Sequence, residues 1–247
     1  MTLEAFFAEN PVVALGFSGG VDSSYLLYAA LQCGARVTPY FIKTQFQPQF
    51  ELDDARCLAA SLGVEVTVLP FDVLARQEIA ANPADRCYPC KRALFGLLQE
   101  RARRDGIPVL MDGTNASDDA DDRPGMRALR EMAVRSPLRE CGLTKAQVRA
   151  RSREAGLFTW DKPAYACLAT RVPTGQAITA ALLARVEGAE NALFAMGFTD
   201  FRVRVLGDAA RLQVPAAQLP ALAAQGERVR EALAPHFQTV LLDLCPR

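Results

Sequence analysis

The sequence predicts an α/β fold: a parallel sheet wound with helices, followed by a smaller α+β unit. Three observations carry this. Over the first two-thirds of the chain, short apolar runs alternate with helix-length stretches. Two of those stretches stop at Gly34 and Gly63, and prolines and glycines cluster at residues 163–175, after which the order of elements changes. Parallel strands need long crossover connections, and helices supply them in the right-handed sense that packs back onto the sheet.

The elements follow in order. Residues 12–17 read as a buried strand, 23–33 as a helix ended by Gly34, and 36–42 as a second strand. Residues 49–62 read as a helix closed by Gly63, 64–69 as a third strand, 88–104 as a helix and 107–111 as a fourth strand. After the Pro/Gly cluster come a helix over 179–196 stopped by Gly197, strands over 201–206 and 211–214 joined by Gly207-Asp208, a helix near 216–233 and a last strand over 239–244. The expected domains are 1–172 and 173–247. The Asp-rich stretch 118–122 reads as a short polar loop, and no internal repeat or low-complexity segment is visible.

Half of the 247 residues are apolar, and 28 basic residues balance 28 acidic ones. That is core material enough for one large domain, or a standard domain plus a small one. A zero net charge argues against a nucleic-acid partner. No run approaches the roughly 20 apolar residues of a membrane span. The start carries Glu4 and no basic region, so it does not read as a signal peptide, and a cytoplasmic location is expected. An odd count of seven cysteines in such a chain argues against a disulfide framework.

Between the first strand and first helix lies Ser18-Gly19-Gly20-Val21-Asp22-Ser23. The glycines allow a tight turn and close approach to a ligand. Amide N–H groups at a helix start favour an anion. Ser18 and Ser23 add hydroxyls, and Asp22 suits Mg²⁺ better than phosphate. An ordinary Gly-rich turn is the plainer reading. The whole hexapeptide in this context resembles the PP-loop of ATP pyrophosphatases, and no GxxxxGK[ST] loop occurs. Such enzymes cleave ATP between the α and β phosphates, leaving pyrophosphate and an adenylated substrate.

Cys87-Tyr88-Pro89-Cys90 is a C-x-x-C just before a helix, and Cys167 lies far downstream. A C-x-x-C can be a redox pair, half a zinc site or part of an Fe–S ligand set. A zinc ribbon would need a second pair, and His236 is the one histidine. Three thiolates suit a 4Fe–4S cluster with one iron open; three buried thiols are the bland alternative. Cys33 and Cys57 read as core residues on apolar helix faces, and Cys141 and Cys245 carry no expectation of chemistry.

In Phe201-Arg202-Val203-Arg204-Val205, period-two alternation puts Arg202 and Arg204 on one strand face. Two guanidinium forks there could clamp a phosphate, although a solvated strand is the commoner explanation.

The ordered set SGGVDS, CYPCK, DGTN with DDRPG, SPLRE with GLTK, KPAYACLATRVPTG and GFTDFRVRV resembles the LarE family, from Ser18 to about Leu212. These are ATP-dependent sulfur transferases of nickel-pincer nucleotide biosynthesis. They act on pyridinium-3,5-biscarboxylic acid mononucleotide, adenylating each carboxylate and replacing it with a thiocarboxylate. One type sacrifices a single cysteine at the position of Cys167; the other joins that position to a C-x-x-C to hold a 4Fe–4S cluster whose open iron carries sulfide. With Cys87 and Cys90 this chain resembles the cluster type. The resemblance implies that Cys87, Cys90 and Cys167 are cluster ligands and that Arg202 and Arg204 hold the substrate phosphate. It further implies that Glu190 is an acidic residue of the site and that the protein is a homo-oligomer such as a hexamer.

Asp112-Gly113-Thr114-Asn115 follows the fourth strand, where ligands of open α/β sheets sit, so Gly113 and Asn115 are expected near ATP. Ser136 and Lys162 lie in matching motifs without an arguable role. The chain departs from the family pattern at Leu206, Gln213 and Asp122. A PP-loop tRNA thiolase with an Fe–S cluster, an ammonia-using synthetase and a nucleotide-sensing module are the rival readings. The balanced charge and the C-terminal motifs argue against the first.

Overall fold

The computed structural model describes residues 1–118 and 124–247. The expected polar loop at 118–122 and the departure at Asp122 lie largely outside the described residues. By contact, the chain divides into one unit of Met1–Phe71 and Asp85–Lys162 and a second of Asp72–Ala84 and Pro163–Arg247.

The first unit opens with α1 (Leu3–Glu9), capped by the Thr2 side chain, and β1 (Val12–Gly16). Then come α2 (Val21–Gln32), β2 (Arg36–Lys43), α3 (Gln49–Ser61) and β3 (Thr67–Pro70). The chain next forms α4 (Gln77–Ala80), which belongs to the second unit, and returns with α5 (Cys87–Arg104) and β4 (Val109–Met111). Helices α6 (Pro124–Glu131), α7 (Pro137–Glu140) and α8 (Lys145–Glu154) complete the unit.

All four strands are parallel, in the order β3-β2-β1-β4. Side chains alternate between faces, so Val13 and Leu15 pack with Phe6, Leu26 and Phe41 on one side. Ala14, Tyr40 and Leu110 pack with Phe95 and Leu98 on the other. Burial on both faces explains the near-continuous apolar runs. The chain winds outward from β1 through β2 to β3, then crosses to β4 on the other side of β1. The carboxyl ends of β1 and β4 therefore flank a topological switch point, where a crevice opens outside the sheet.

The second unit carries α9 (Ala180–Ala195), β5 (Arg202–Leu206), β6 (Ala209–Gln213), α10 (Leu219–Ala224), α11 (Gly226–Leu233) and β7 (Thr239–Leu242). Strands β5 and β6 are antiparallel, β6 and β7 parallel. The helix expected near 216–233 is broken into a 3₁₀ turn, α10 and α11, with the break at Gln225 before Gly226. The segment around α4 joins this unit through backbone bonds: Gly175 N–H donates to Asn82 O (2.8 Å) and Ile178 N–H to Ala80 O (2.7 Å). These bonds connect residues far apart in sequence, which places the observed division at Lys162/Pro163, with 72–84 included. Among the described residues no helix is long and apolar enough to cross a membrane.

Candidate active site

The turn after β1 is built by its own hydroxyls. Ser23 Oγ accepts from Ser18 N–H (3.3 Å), donates to Gly20 O (3.2 Å) and lies 3.1 Å from Ser18 Oγ. Gly19 has φ of +69°, the left-handed region that glycine enters without penalty. A Cβ there would meet Ala55 Cβ at 3.0 Å. Helix α2 starts at Val21, two residues before the expected boundary, with Gly20 as its N-cap. Asp22 thus stands in the first helical turn, where the helix dipole favours a carboxylate.

The turn after β4 presses against this one. A Cβ on Gly113 would lie 2.8 Å from Ser23 N, so only glycine lets the two loops meet. Asp112, 4% exposed, fixes the second loop: its carboxylate accepts from Thr114 N–H (3.2 Å), Thr114 Oγ1 (2.6 Å) and Ser136 Oγ (2.7 Å). Asn115 Nδ2 donates to Asp22 Oδ1 (3.2 Å), and Lys145 Nζ lies 2.5 Å from Asp22 Oδ2. Lys145 is the first residue of α8, whose start is fixed by a capping box between Thr144 and Gln147. Lys162 Nζ reaches Asp54 Oδ2 (2.6 Å) and Gly19 O (3.4 Å).

A cleft of about 570 Å³ opens at this switch point. Ser18, Gly20, Asp22, Ser23 and Gly113 line its polar end; Phe41, Ile42 and Leu98 line an apolar part; Cys87 and Lys91 also face it. Gly19 sits against Ala55 and Asn115 supports Asp22. The arrangement suits a molecule with an anionic end and a flat apolar end. Asp112 lines the cleft, as expected for the 112–115 loop, whereas Lys145 and Ser136 were not assigned roles from sequence. The T-x-x-Q pattern at Thr144 was the readable signal for Lys145, because it marks a helix start.

In the second unit, Arg202 is 4% exposed. It donates to Phe201 O (2.6 Å) and Ala164 O (2.5 Å) and lies over the Tyr165 ring at 5.1 Å. Arg204 donates to Thr170 O (2.8 Å) and to Gln213 Oε1, and Gln213 Nε2 in turn donates to Asp243 (2.8 Å). The neutral side chain at Gln213 therefore bridges a guanidinium and a carboxylate. Burial, then repulsion from Arg171 and Arg247, pushes Arg202 down to about 10. Burial, then Arg171, Arg211 and Arg247, also lowers Arg204. Arg171 and Arg247 have carboxylate partners, in Glu190 and Asp200. Arg202 shares Asp200 with Arg247, at 4.0 Å, and Asp243 and Glu190 lie near enough to offset part of the charge of Arg204 and Arg202. Five guanidiniums (Arg171, Arg202, Arg204, Arg211 and Arg247) thus face three carboxylates (Glu190, Asp200 and Asp243), a balance that an anion would even out.

Glu190 is not open to a ligand. It is 1% exposed and accepts from Arg171 Nε (2.7 Å), Arg171 Nη2 (3.3 Å), Val203 N–H (3.0 Å) and Tyr165 Oη. Its position is that of a brace between α9, β5 and the segment bearing Cys167.

Cys87 is the exposed first residue of α5, and Cys90, half-buried, follows one turn later on that helix. Cys167, half-buried, precedes the 3₁₀ turn Leu168–Arg171 of the second unit. None of the described cysteines is in a disulfide. Thiolates are the donors that Fe–S clusters take. Among the described residues, no group of three or more His, Cys, Asp or Glu side chains is arranged to hold a metal ion. Cys33 and Cys141 pack against the core, and burial pushes both thiols up. Cys57, expected in the core, is exposed: the buried face of α3 is carried by Leu52, Ala55, Leu58 and Ala59.

No protein-family model matches the chain. An uncharacterised protein of Synechocystis is 37% identical over 221 residues, 88% of this chain and 81% of its own length. The pyridinium-3,5-bisthiocarboxylic acid mononucleotide synthase of Lactiplantibacillus plantarum is 34% identical over 246 residues, 98% of this chain and 89% of its own. A glutamine-dependent NAD(+) synthetase of Aquifex aeolicus is 36% identical over 66 residues, 26% of this chain and 12% of its own.

Proposed function

The chain belongs to the LarE family of pyridinium-3,5-bisthiocarboxylic acid mononucleotide synthases, and on that premise we propose that it is an ATP-dependent sulfur transferase acting on pyridinium-3,5-biscarboxylic acid mononucleotide. The observation that carries the reading is a match over 98% of the chain to a synthase of that name. The loop at the switch point is its chemical counterpart.

In this reading the 18–23 loop is a PP-loop that receives the triphosphate of ATP with its amides and hydroxyls. The apolar part of the cleft receives the base. Asp22 would hold Mg²⁺, which supplies charge neutralisation to the phosphates. A substrate carboxylate oxygen attacks the α-phosphorus; the P–O bond to the β-phosphate breaks, and pyrophosphate leaves. A sulfur nucleophile then attacks the acyl carbon, and AMP departs with the C–O bond's electron pair. Carboxylate and sulfide are already anionic, so positioning and neutralisation are the protein's main contribution.

Arg202 and Arg204 would bind the mononucleotide's phosphate, and Glu190 would position them through Arg171 and the β5 backbone. Cys87, Cys90 and Cys167 would hold a 4Fe–4S cluster, which supplies an iron position able to carry sulfide. The unit of residues 1–71 and 85–162 would carry out activation, and that of residues 72–84 and 163–247 would serve substrate binding and assembly into a homo-oligomer.

The test is anaerobic purification followed by iron analysis, with turnover assayed as pyrophosphate released from ATP and the mononucleotide. Bound iron that is lost in Cys87→Ala, with substrate-dependent pyrophosphate release, supports the reading. Iron-free protein whose Cys167 loses one sulfur by mass spectrometry would replace the cluster with sacrificial transfer. Absence of substrate-dependent pyrophosphate release would overturn the activity itself.

A further inference from the structure

Lys162 takes no part in the chemistry above, yet it touches the peptide that shapes the loop. Its ammonium lies 2.6 Å from Asp54 Oδ2 and 3.4 Å from the Gly19 carbonyl oxygen. The side chain is 17% exposed. Gly19 is the loop's left-handed residue, and the Ala55 backbone lies 3.1 Å from where its Cβ would be. The turn is thus held from outside by α3 through Ala55 and by Lys162 through the carbonyl.

In a trans peptide the C=O of one residue and the N–H of the next point in opposite directions. Holding Gly19 O from behind therefore directs the Gly20 N–H the other way. Its acceptor in this structure is Ser18 Oγ at 3.4 Å, and both Gly20 and Ser18 line the cleft. Both contacts are 3.4 Å long, but the one at Gly19 O comes from a charged donor held by Asp54, whereas Ser18 Oγ is a neutral acceptor that an anionic phosphate would displace. We propose that Lys162 is a positioning residue for the anion-binding loop: Asp54 holds its ammonium on the Gly19 carbonyl, and that orients the 19–20 peptide with its N–H toward the phosphate site. Asp54 thereby serves a phosphate-binding loop while adding negative charge to its surroundings.

This inference rests on the nucleotide reading of the loop, and the test separates the two. The full chain is titrated calorimetrically with MgATP and with magnesium pyrophosphate, and thermal midpoints are recorded for every variant. Lys162→Met should weaken both ligands about tenfold, the loss of one charge-assisted hydrogen bond. Lys162→Arg keeps the charge and donors and should stay within about threefold.

Asp54→Asn decides the mechanism. If Lys162 acted on phosphate simply as a charge, removing a nearby carboxylate would tighten binding. If Asp54 holds the ammonium on Gly19, the same change weakens both ligands, about threefold given a neutral in place of a charged partner. Tighter or unchanged binding in Asp54→Asn, or an unaltered affinity in Lys162→Met, would overturn the proposal. Wild-type protein that binds neither ligand would overturn the nucleotide reading instead.

Discussion

Replacing Gly113 by alanine tests whether the two switch-point loops form one nucleotide site. The added Cβ would sit 2.8 Å from Ser23 N, 3.1 Å from Ser23 Cα and 3.2 Å from the Asp22 carbonyl carbon. All three are backbone atoms of the first turn of α2, so no side-chain rotation relieves them. Ordinary contact begins near 3.4 Å, so the loops must part by about 0.6 Å, the difference between 3.4 and 2.8 Å. Overpacking of this kind costs about 1–3 kcal/mol. A shift of half an ångström or more in the loop should weaken MgATP on the order of tenfold, the loss of about one hydrogen bond to a charged phosphate. The assay is urea denaturation together with MgATP titration. Gly96→Ala is the control, because Gly96 lies within α5 with nothing within 4 Å of an added Cβ. It should stabilise the protein by about 0.5–1 kcal/mol and leave MgATP affinity alone. Gly113→Ala protein as stable and as tight-binding as wild type would refute the reasoning, as would equal damage from Gly96→Ala.

Three further outcomes are expected. Glu190→Ala leaves the Arg171 guanidinium, 0% exposed, without its carboxylate and should cost about 3–5 kcal/mol in chemical denaturation; a loss below about 1 kcal/mol would show that the pair does not brace the second unit. Arg202→Ala should raise the Kd of the mononucleotide while leaving that of MgATP within about threefold, since a lost charged contact costs about 1.5–3 kcal/mol at the ligand it serves; equal effects on both ligands would contradict a phosphate role. Tyr40 is pushed up to about 12, first by burial and then by its bond to Asp105, so the folded state keeps a proton that the unfolded chain releases near pH 10. Stability is therefore fully present below about pH 10 and falls as pH rises toward 12; Tyr40→Phe should make that alkaline fall shallower, and an identical slope would refute the cause.

The resemblance and the strand–helix alternation were legible because both are local. Apolar runs mark strands buried on two faces, and Gly34 and Gly63 close helices that packing then confirms. The hexapeptide at Ser18 could be read as an anion-binding turn because its glycines and hydroxyls act on their own backbone. Cys57 was misjudged because helical spacing names a face without saying which face meets the sheet. Helix α8 was missed because its interior is charged, although its capping box was in plain view.

By itself, then, the sequence determined the class of fold, the glycine- and serine-rich turn at 18–23 and the set of thiols and guanidiniums available for chemistry. The tertiary structure decided which residues support that loop: Lys145 and Asn115 on Asp22, Gly113 on Ser23, Lys162 on Gly19. It likewise turned Glu190 from a candidate acid into an enclosed brace. The physical reason is separation along the chain. Lys145 and Asn115 stand 123 and 93 residues from the carboxylate they meet, and only the crossing from β3 to β4 on the far side of β1 brings such residues to one end of the sheet.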